Sequence, residues 1–530
     1  MSIANGDPRF IVATKQLGLY FQDDWKATRR LTLNLGLRWD KDFNMIGGAD
    51  IQNSRTYQEL VALNSPISNP YVRKIAADDN KDFSPRVGFA YDVTGTGRHV
   101  VRGGYGLYYG NIFQNIPLFM EQQANATVFQ TLFLLTSPSD IVPGTGIALG
   151  NWHCCGPPTG DPLPTIAAPS AQLNPGSTGR LMDPNYRNPE TEEFNIGYSW
   201  SLNPNTVIET EYTHVLGLHE NKTINIDQRK PVNGVCCTAP LDSAFAAAGL
   251  PRLGSVRNEE SIGRSHYDGW NVSFRQRMSH RFSINANYTL AWAYSYDGGG
   301  GSFRNYPRVA SDPFASYEWG PSPNDERHHV TLSGIIDMPK GFQLSPILQF
   351  GSARPYNLTN SYSTLNTGGG TATAVLVPAG DITNYLYGPN YIPVFVAAYC
   401  AANSSDPDCG THGTTQARKN LQICFYAQQC TPQLGPALSP LTIAKYDPLR
   451  GDPFFELDMR LAKNIRIHEG VNLQLVAQAF NLTNRANYGN DFNNNIASAS
   501  TFGHPSGFIN PASTIVPLAV WGEFGVRLTF

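Results

Sequence analysis

No stretch of this 530-residue sequence offers the roughly 18 to 20 uninterrupted apolar residues that a membrane-crossing helix needs, so a helical membrane protein is excluded. Charge is also scarce. Asp, Glu, Lys and Arg make up 15%, against roughly 25% in an ordinary soluble domain, and the net charge of -3 leaves no basic surface for nucleic acid. The opening MSIANGDPRF has neither the basic nor the apolar region of a signal peptide. HExxH, GxSxG and Walker A patterns are missing, so nothing points to an enzyme or to a bound cofactor. Gly104-Tyr105-Gly106 is a poor phosphate loop because it lies inside an alternating strand, where small residues make room for whatever stands in front of it. Gly298 to Gly301 is most simply a flexible loop. There is no CxxC pair among the eight cysteines, which disfavours a zinc site built on His153, Cys154 and Cys155.

What is abundant is aromatic side chain and period-two alternation. Aromatics reach 11%, with 25 Tyr and 27 Phe. Leu31, Leu33, Leu35, Leu37 and Trp39 alternate with Thr32, Asn34, Gly36, Arg38 and Asp40, which gives a strand one greasy face and one polar face. The same pattern recurs at Phe194 to Leu202, at Phe282 to Tyr294, and in a final strand with Phe524, Val526, Leu528 and Phe530 opposite Glu523, Arg527 and Thr529. About thirteen such segments begin near residues 15, 29, 82, 97, 190, 205, 265, 281, 325, 341, 453, 470 and 517.

Alternation alone also fits a soluble sandwich, and the connections separate the two. Short turns (near Thr28, at Gly95-Thr96-Gly97, Asn203-Pro204-Asn205, Ser279-His280, Pro339-Lys340 and His468-Glu469-Gly470) alternate with long loops over 42–81, 112–188, 219–263, 297–324, 358–452 and 487–516. Tight turns on one side and long loops on the other are the habit of outer-membrane barrels. Hydrocarbon leaves no solvent for free backbone groups, so a spanning sheet must close on itself. The expected fold is therefore all-β, an antiparallel transmembrane β-barrel with long extracellular loops, in contact with outer-membrane lipid in the bacterial cell outer membrane. Tyr20, Tyr105, Tyr109, Trp200, Tyr212, Trp292, Tyr294 and Tyr296 are candidates for its interfacial aromatic girdles.

If the final strand ends on the short-turn side, the first readable strand starts outside. An intact barrel of this kind has an even strand count with both ends on the short-turn side, so upstream strands are expected. Residues 1–14 then read as an extracellular loop remnant and 15–530 as the C-terminal portion of a barrel, with 112–188 and 358–452 the largest outer loops. Cys154, Cys155, Cys236, Cys237, Cys400, Cys409, Cys424 and Cys430 all fall in these long loops, which suits disulfides in an oxidising compartment. Their pairing is not readable. His328-His329 beside Asp325 and Glu326 invites a metal, although an interfacial histidine pair at a strand start is the blander account.

Several segments resemble the Oar-like TonB-dependent receptors: Tyr20-Phe21-Gln22-Asp23-Asp24-Trp25, the strand Leu31 to Asp40, Phe83 to Asp92, Val101 to Gly106, and Ala479-Phe480-Asn481-Leu482-Thr483-Asn484-Arg485. The resemblance implies a 22-stranded barrel around a plug, and active uptake, or in some relatives export, of a bulky solute across the outer membrane. It also implies that the terminal aromatic Phe530 is a signal for the barrel-assembly machinery, and that the TonB complex acts through a plug with no counterpart in these residues. The ligand is unknown, and the long outer loops are where it would be recognised.

By alternation, inward positions include Arg38, Asp40, Arg86, Asp92, Arg102, Glu209, Glu211, Arg275, Arg277, Glu456, Asp458 and Arg460, together with Arg30, Glu193, Glu523 and Arg527. They either line a hydrated lumen and touch a plug, or form salt bridges within the wall. Two other functions fit less well: a passive outer-membrane pore, which must close from this chain alone, and a secreted structural or adhesion β-protein displaying its loops.

Overall fold

The computed structural model describes residues 2–5, 13–124, 131–134, 137–153, 160–165, 178–228, 239–250, 252–296, 306–358, 376–378, 441–443, 449–494, 503–508 and 519–530. All eight cysteines, and most of the 358–452 loop, lie outside the described residues.

Thirteen strands form one antiparallel meander in which each pairs with the next in sequence. They are β1 (Lys15–Trp25), β2 (Leu31–Phe43), β3 (Asp82–Asp92), β4 (His99–Tyr109), β5 (Glu190–Asn203), β6 (Thr206–Asn225), β7 (Ser255–Ser279), β8 (Phe282–Ser295), β9 (His328–Met338), β10 (Phe342–Gly351), β11 (Phe454–His468), β12 (Val471–Phe480) and β13 (Trp521–Thr529). Two short strands join from the side: Gly320–Pro321 along β8 and Thr178–Met182, in parallel, along β7.

Register keeps the two faces distinct from strand to strand. Leu33, Leu35 and Trp39 of β2 stand beside Phe89, Val87 and Phe83 of β3, while Asn34, Gly36 and Arg38 stand beside Gly88, Arg86 and Ser84. A one-residue slip would put every leucine on the polar face, so this pairing is strongly specified. Tyr20 departs from the girdle expectation. It lies mid-strand in β1 opposite Arg38, on the polar face, because Leu19 and Phe21 hold the apolar side. Apolar side chains within the wall are only partly covered by their neighbours, from Leu332 at 37% exposure to Trp270 at 54%. At the two edges the cover is gone, and Phe21 of β1 is 71% and Phe524 of β13 92% exposed.

Short connections all fall at one end of the sheet. Asp92 caps the β3–β4 turn by accepting from the Gly95 and Gly97 amides at 2.9 and 2.7 Å. The two residues between β7 and β8, His280 and Arg281, both have positive φ (52° and 70°), the geometry of a tight hairpin turn that favours Asn-Gly. At the opposite end, where the long connection after β12 begins, the Asn481 side chain holds a tight turn by bonding both the amide and the carbonyl of Arg485.

At the other end the first three long connections do not behave as separate loops. Helices α1 (Gly48–Asn53), α2 (Arg55–Leu63), α3 (Asn69–Val72), α4 (Asn115–Ala124) and α5 (Asp242–Ala247) pack with the Thr178–Met182 strand into one cap. Ile46, Ile51, Leu60, Ile116, Met120, Leu181, Leu241, Phe245 and Val256 form its core, each at most 1% exposed. Ser54 caps α2 by accepting from the Tyr57 amide.

The expected 219–263 loop is in part strand. β6 runs 20 residues and β7 25, well beyond the roughly 9 to 11 that a tilted membrane strand requires. Their outer ends form an arm along the cap. Arm and wall meet at an irregularity: register shifts on either side of Gly263, which pairs with Glu220, and the adjacent His219 takes φ 54°.

Candidate functional site

The continuous polar face of the sheet carries the charged candidates, and pairing across strands decides how each is used. On β2, Arg38 grips Asp40 with two bonds of 2.7 Å, Nε to Oδ2 and Nη2 to Oδ1. On β4, Arg102 sits between Glu209 and Glu211 of β6, at 3.4 Å from each. All three side chains are substantially solvated, so these pairs organise the face more than they stabilise it. Arg86 lies over the Tyr108 ring, its guanidinium carbon 4.5 Å from the ring centre. Gly106 makes room for that ring, since a Cβ there would fall 2.9 Å from the Tyr108 hydroxyl. These residues, with Asn34, Gly88, Gly104, Glu193 and Asn195, bound a recess of about 370 Å³.

A second recess, of about 700 Å³, opens on the same face between β7 and β12. Arg275, Arg277, Asp458 and Arg460 line it with Asn285, Ser333, Ser345 and Gln478. Asp458 accepts from the Asn481 amide at 2.9 Å, which occupies one of its oxygens in the turn after β12. Glu456, one alternation outward, is 4% exposed and is buried among its neighbours rather than facing open solvent. Asp92 is committed to the β3–β4 turn.

Where the polar face meets the cap, a cluster appears that alternation only half announced. Asn188 donates from one amide nitrogen to both Asp42 Oδ2 (2.8 Å) and Asp82 Oδ2 (2.7 Å), two carboxylates that are each 2% exposed. Gln16 adds a bond to Asp42 Oδ1 at 3.1 Å. Asp42 continues the Arg38, Asp40 series and was legible in principle, whereas Asn188, from the connection before β5, carries no sequence signal for this role.

The outer arm holds a further acidic pair, beyond the part of β7 that faces the wall. Glu259 is fully buried, accepts from Asn221 (3.0 Å) and Thr223 (2.7 Å), and is pushed up by burial. Burial likewise raises Glu260 to about 7, Asn258 opposing with a 2.8 Å bond while Asp183 and Glu259 push the same way. Burial in the cap also raises Tyr186 and lowers Arg55.

His328 and His329 do not converge on an ion. His328 meets the Tyr288 hydroxyl at 2.9 Å on the apolar face, and His329 meets Glu326 at 2.5 Å on the polar one. Glu326 also receives Arg354 at 2.9 Å. Trp292, Tyr294 and Tyr296 do gather at the long-loop end, with Trp319 packed 4.7 Å from Tyr296. Trp200 marks the other end, stacked 5.9 Å from His99. Phe530 follows β13 directly and is 93% exposed.

The family model described as outer membrane beta barrel domain matches residues 1–514. No curated protein is significantly similar to the sequence. Among solved structures, the outer membrane transporter YddB from Escherichia coli is similar with a TM-score of 0.45 and 12% identity, over 89% of this chain and 42% of that one. The FrpB iron transporter from Neisseria meningitidis gives 0.40 and 9%, over 98% and 44%. A mutant of the ferric enterobactin receptor PfeA from Pseudomonas aeruginosa gives 0.42 and 9%, over 97% and 45%. The chain spans less than half the length of each of these structures.

Proposed function

This chain belongs to the outer membrane beta barrel domain family, and from that premise we propose that it forms the C-terminal part of the wall of a TonB-dependent receptor of the Oar-like type. Its place is the bacterial outer membrane, with the apolar face of the sheet turned to lipid. The polar face is then the lumen side, and Arg38, Asp40, Arg86, Arg102, Glu209, Glu211, Arg275, Arg277, Asp458 and Arg460 line the path of a bulky solute. The observation that carries this reading is the pair of bare edges. Phe21 and Phe524 are 71% and 92% exposed against 54% for Trp270 within the wall, and β1 and β13 each lack an outer neighbour among the described residues. A sheet in hydrocarbon does not leave such edges unpaired, and in the proposed receptor further strands would complete the wall to the 22 that the family resemblance implies.

Energy coupling to TonB would run through a plug supplied by the rest of the receptor, and Phe530 would serve recognition by the barrel-assembly machinery. The cap over β2 to β7 would form the outer mouth where solute is first met. The test is reconstitution of this chain into planar bilayers after purification from outer membranes. We expect heat-modifiable protein without steady conductance. A stable, uniform channel would overturn the receptor-wall assignment in favour of a self-sufficient passive pore.

A further inference from the structure

The charges of the polar face are unevenly answered. Arg38 and Arg102 each have a carboxylate within ion-pair distance, and Arg86 rests on an aromatic ring. Among the described residues, Arg275, Arg277 and Arg460 have no carboxylate within that distance, although all three line the larger recess. The one carboxylate beside them, Asp458, is engaged by the Asn481 amide.

Their placement is as informative as their charge. Arg275 and Arg277 stand on β7 and Arg460 on β11, so β8, β9 and β10 form the floor between them. Four inter-strand steps of about 4.8 Å separate the two arginine rows by roughly 19 Å along the sheet, and the Arg460 guanidinium also donates to Gln474 of β12 at 3.4 Å, on the far side of β11. The floor itself is low. Ser333 and Gly334 sit at its centre, and the β9–β10 register is interrupted between Ser333 and Ile336, where Pro346 of β10 has no amide to donate. Ile335 and Ile347 supply an apolar surface on that floor. The result is a trough with arginine on both rims, Asp458 beside Arg460 on one of them, and isoleucine in its bed.

We propose that this trough is a binding subsite for an elongated solute that carries an acidic group at each end and an apolar middle. This rests on the assignment of the polar face to the lumen and narrows the solute class to one that the two arginine rims can hold at once. A guanidinium matches a carboxylate or phosphate in a bidentate fork, and two rims engaged together gain from the second contact being intramolecular. A monoanion can satisfy only one rim.

The probe is a series of α,ω-dicarboxylates from succinate to dodecanedioate, titrated calorimetrically into the detergent-solubilised chain at low salt, with the matching monocarboxylates and diamines as comparators. The expected result is an optimum at an intermediate chain length, at least tenfold tighter than the monocarboxylate of the same length. Arg460→Gln, and separately Arg275→Gln with Arg277→Gln, should each abolish the length optimum while the protein keeps its heat-modifiable migration. Equal affinity for mono- and dicarboxylates, or an optimum that survives both variants, would overturn the proposal. A Ser333→Trp variant tests the premise separately. Added fluorescence quenched by acrylamide and not by brominated lipid leaves the lumen assignment standing even if no dicarboxylate binds, whereas quenching by brominated lipid overturns both.

Discussion

Truncation of one cap residue, Phe245→Ala, should loosen the cap and leave the wall intact. Phe245 on α5 is 0% exposed and packs in a core drawn from connections that are distant in sequence, including Leu60, Ile116 and Leu181. Removing a fully buried phenyl ring costs about 3 to 5 kcal/mol, from lost burial plus the cavity that remains. At about 1.4 kcal/mol per factor of ten, the equilibrium for opening the cap should shift by roughly two to three and a half decades. Amide hydrogen exchange reads this directly, because cap amides exchange through local opening. The amides of Gln58 and Ala248, which donate within the cap to Ser54 and Ala244, should accelerate by that factor. Amides in the β8–β9 ladder should not change. Val61→Ala is the control, since Val61 is 45% exposed on helix α2 of the same cap and its loss should cost within about 0.5 kcal/mol. If wall and cap amides accelerate together, the cap is not a separable unit. If Phe245→Ala leaves cap exchange unchanged, its packing is not what holds these connections together.

Four further outcomes follow from the same geometry. Glu260 rises from 4.5 to about 7 on folding, so its native form holds the proton more tightly. The associated stability is fully present below about pH 4.5 and is lost as pH climbs through 7, by about 3 kcal/mol at most, and Glu260→Gln should flatten that slope in cap exchange measured from pH 5 to 8. Asn188→Ala strips the donor shared by Asp42 and Asp82 and should destabilise the cap–wall junction by about 1 to 3 kcal/mol in denaturant titrations, with partial recovery on adding Asp82→Asn. Arg102→Gln should cost less than about 1 kcal/mol by the same titration, because the ion pairs with Glu209 and Glu211 are solvated. Replacing His280-Arg281 by Asn-Gly relieves two positive φ angles and should stabilise the β7–β8 hairpin by up to about 1 kcal/mol, read as a higher denaturant midpoint.

The wall was legible because each strand displays its two environments in a period of two, and the thirteen strands of the meander match the thirteen alternating segments one for one. Alternation fails where both faces of a strand are packed. Val256-Arg257-Asn258-Glu259-Glu260 shows no greasy side, so the outer arm of β7 looked like loop, although it is paired throughout with β6. The cap was hidden for a different reason. Its apolar residues arrive a few at a time from connections far apart in sequence, on helices of 4 to 10 residues too short to establish a helical period. The trough was visible only as charges, since Arg275, Arg277 and Arg460 become one site through pairings that span nearly 190 residues of chain.

The irregularity at Gly263 gives the outer arm a mechanical character. Along β6 and β7 the hydrogen bonds lie across the direction in which a load on the cap would be transmitted, so the hairpin is sheared rather than unzipped when the cap is pushed or pulled along its axis. Shear loads many bonds at once, which makes the arm stiff lengthwise. At Gly263 the ladder is interrupted, and His219, next to its partner Glu220, is in a left-handed conformation. Bending is cheapest there. The cap is thus mounted on an arm whose ladder resists stretching and is interrupted at its foot, while the junction at Asn188, Asp42 and Asp82 ties it to the wall on another side.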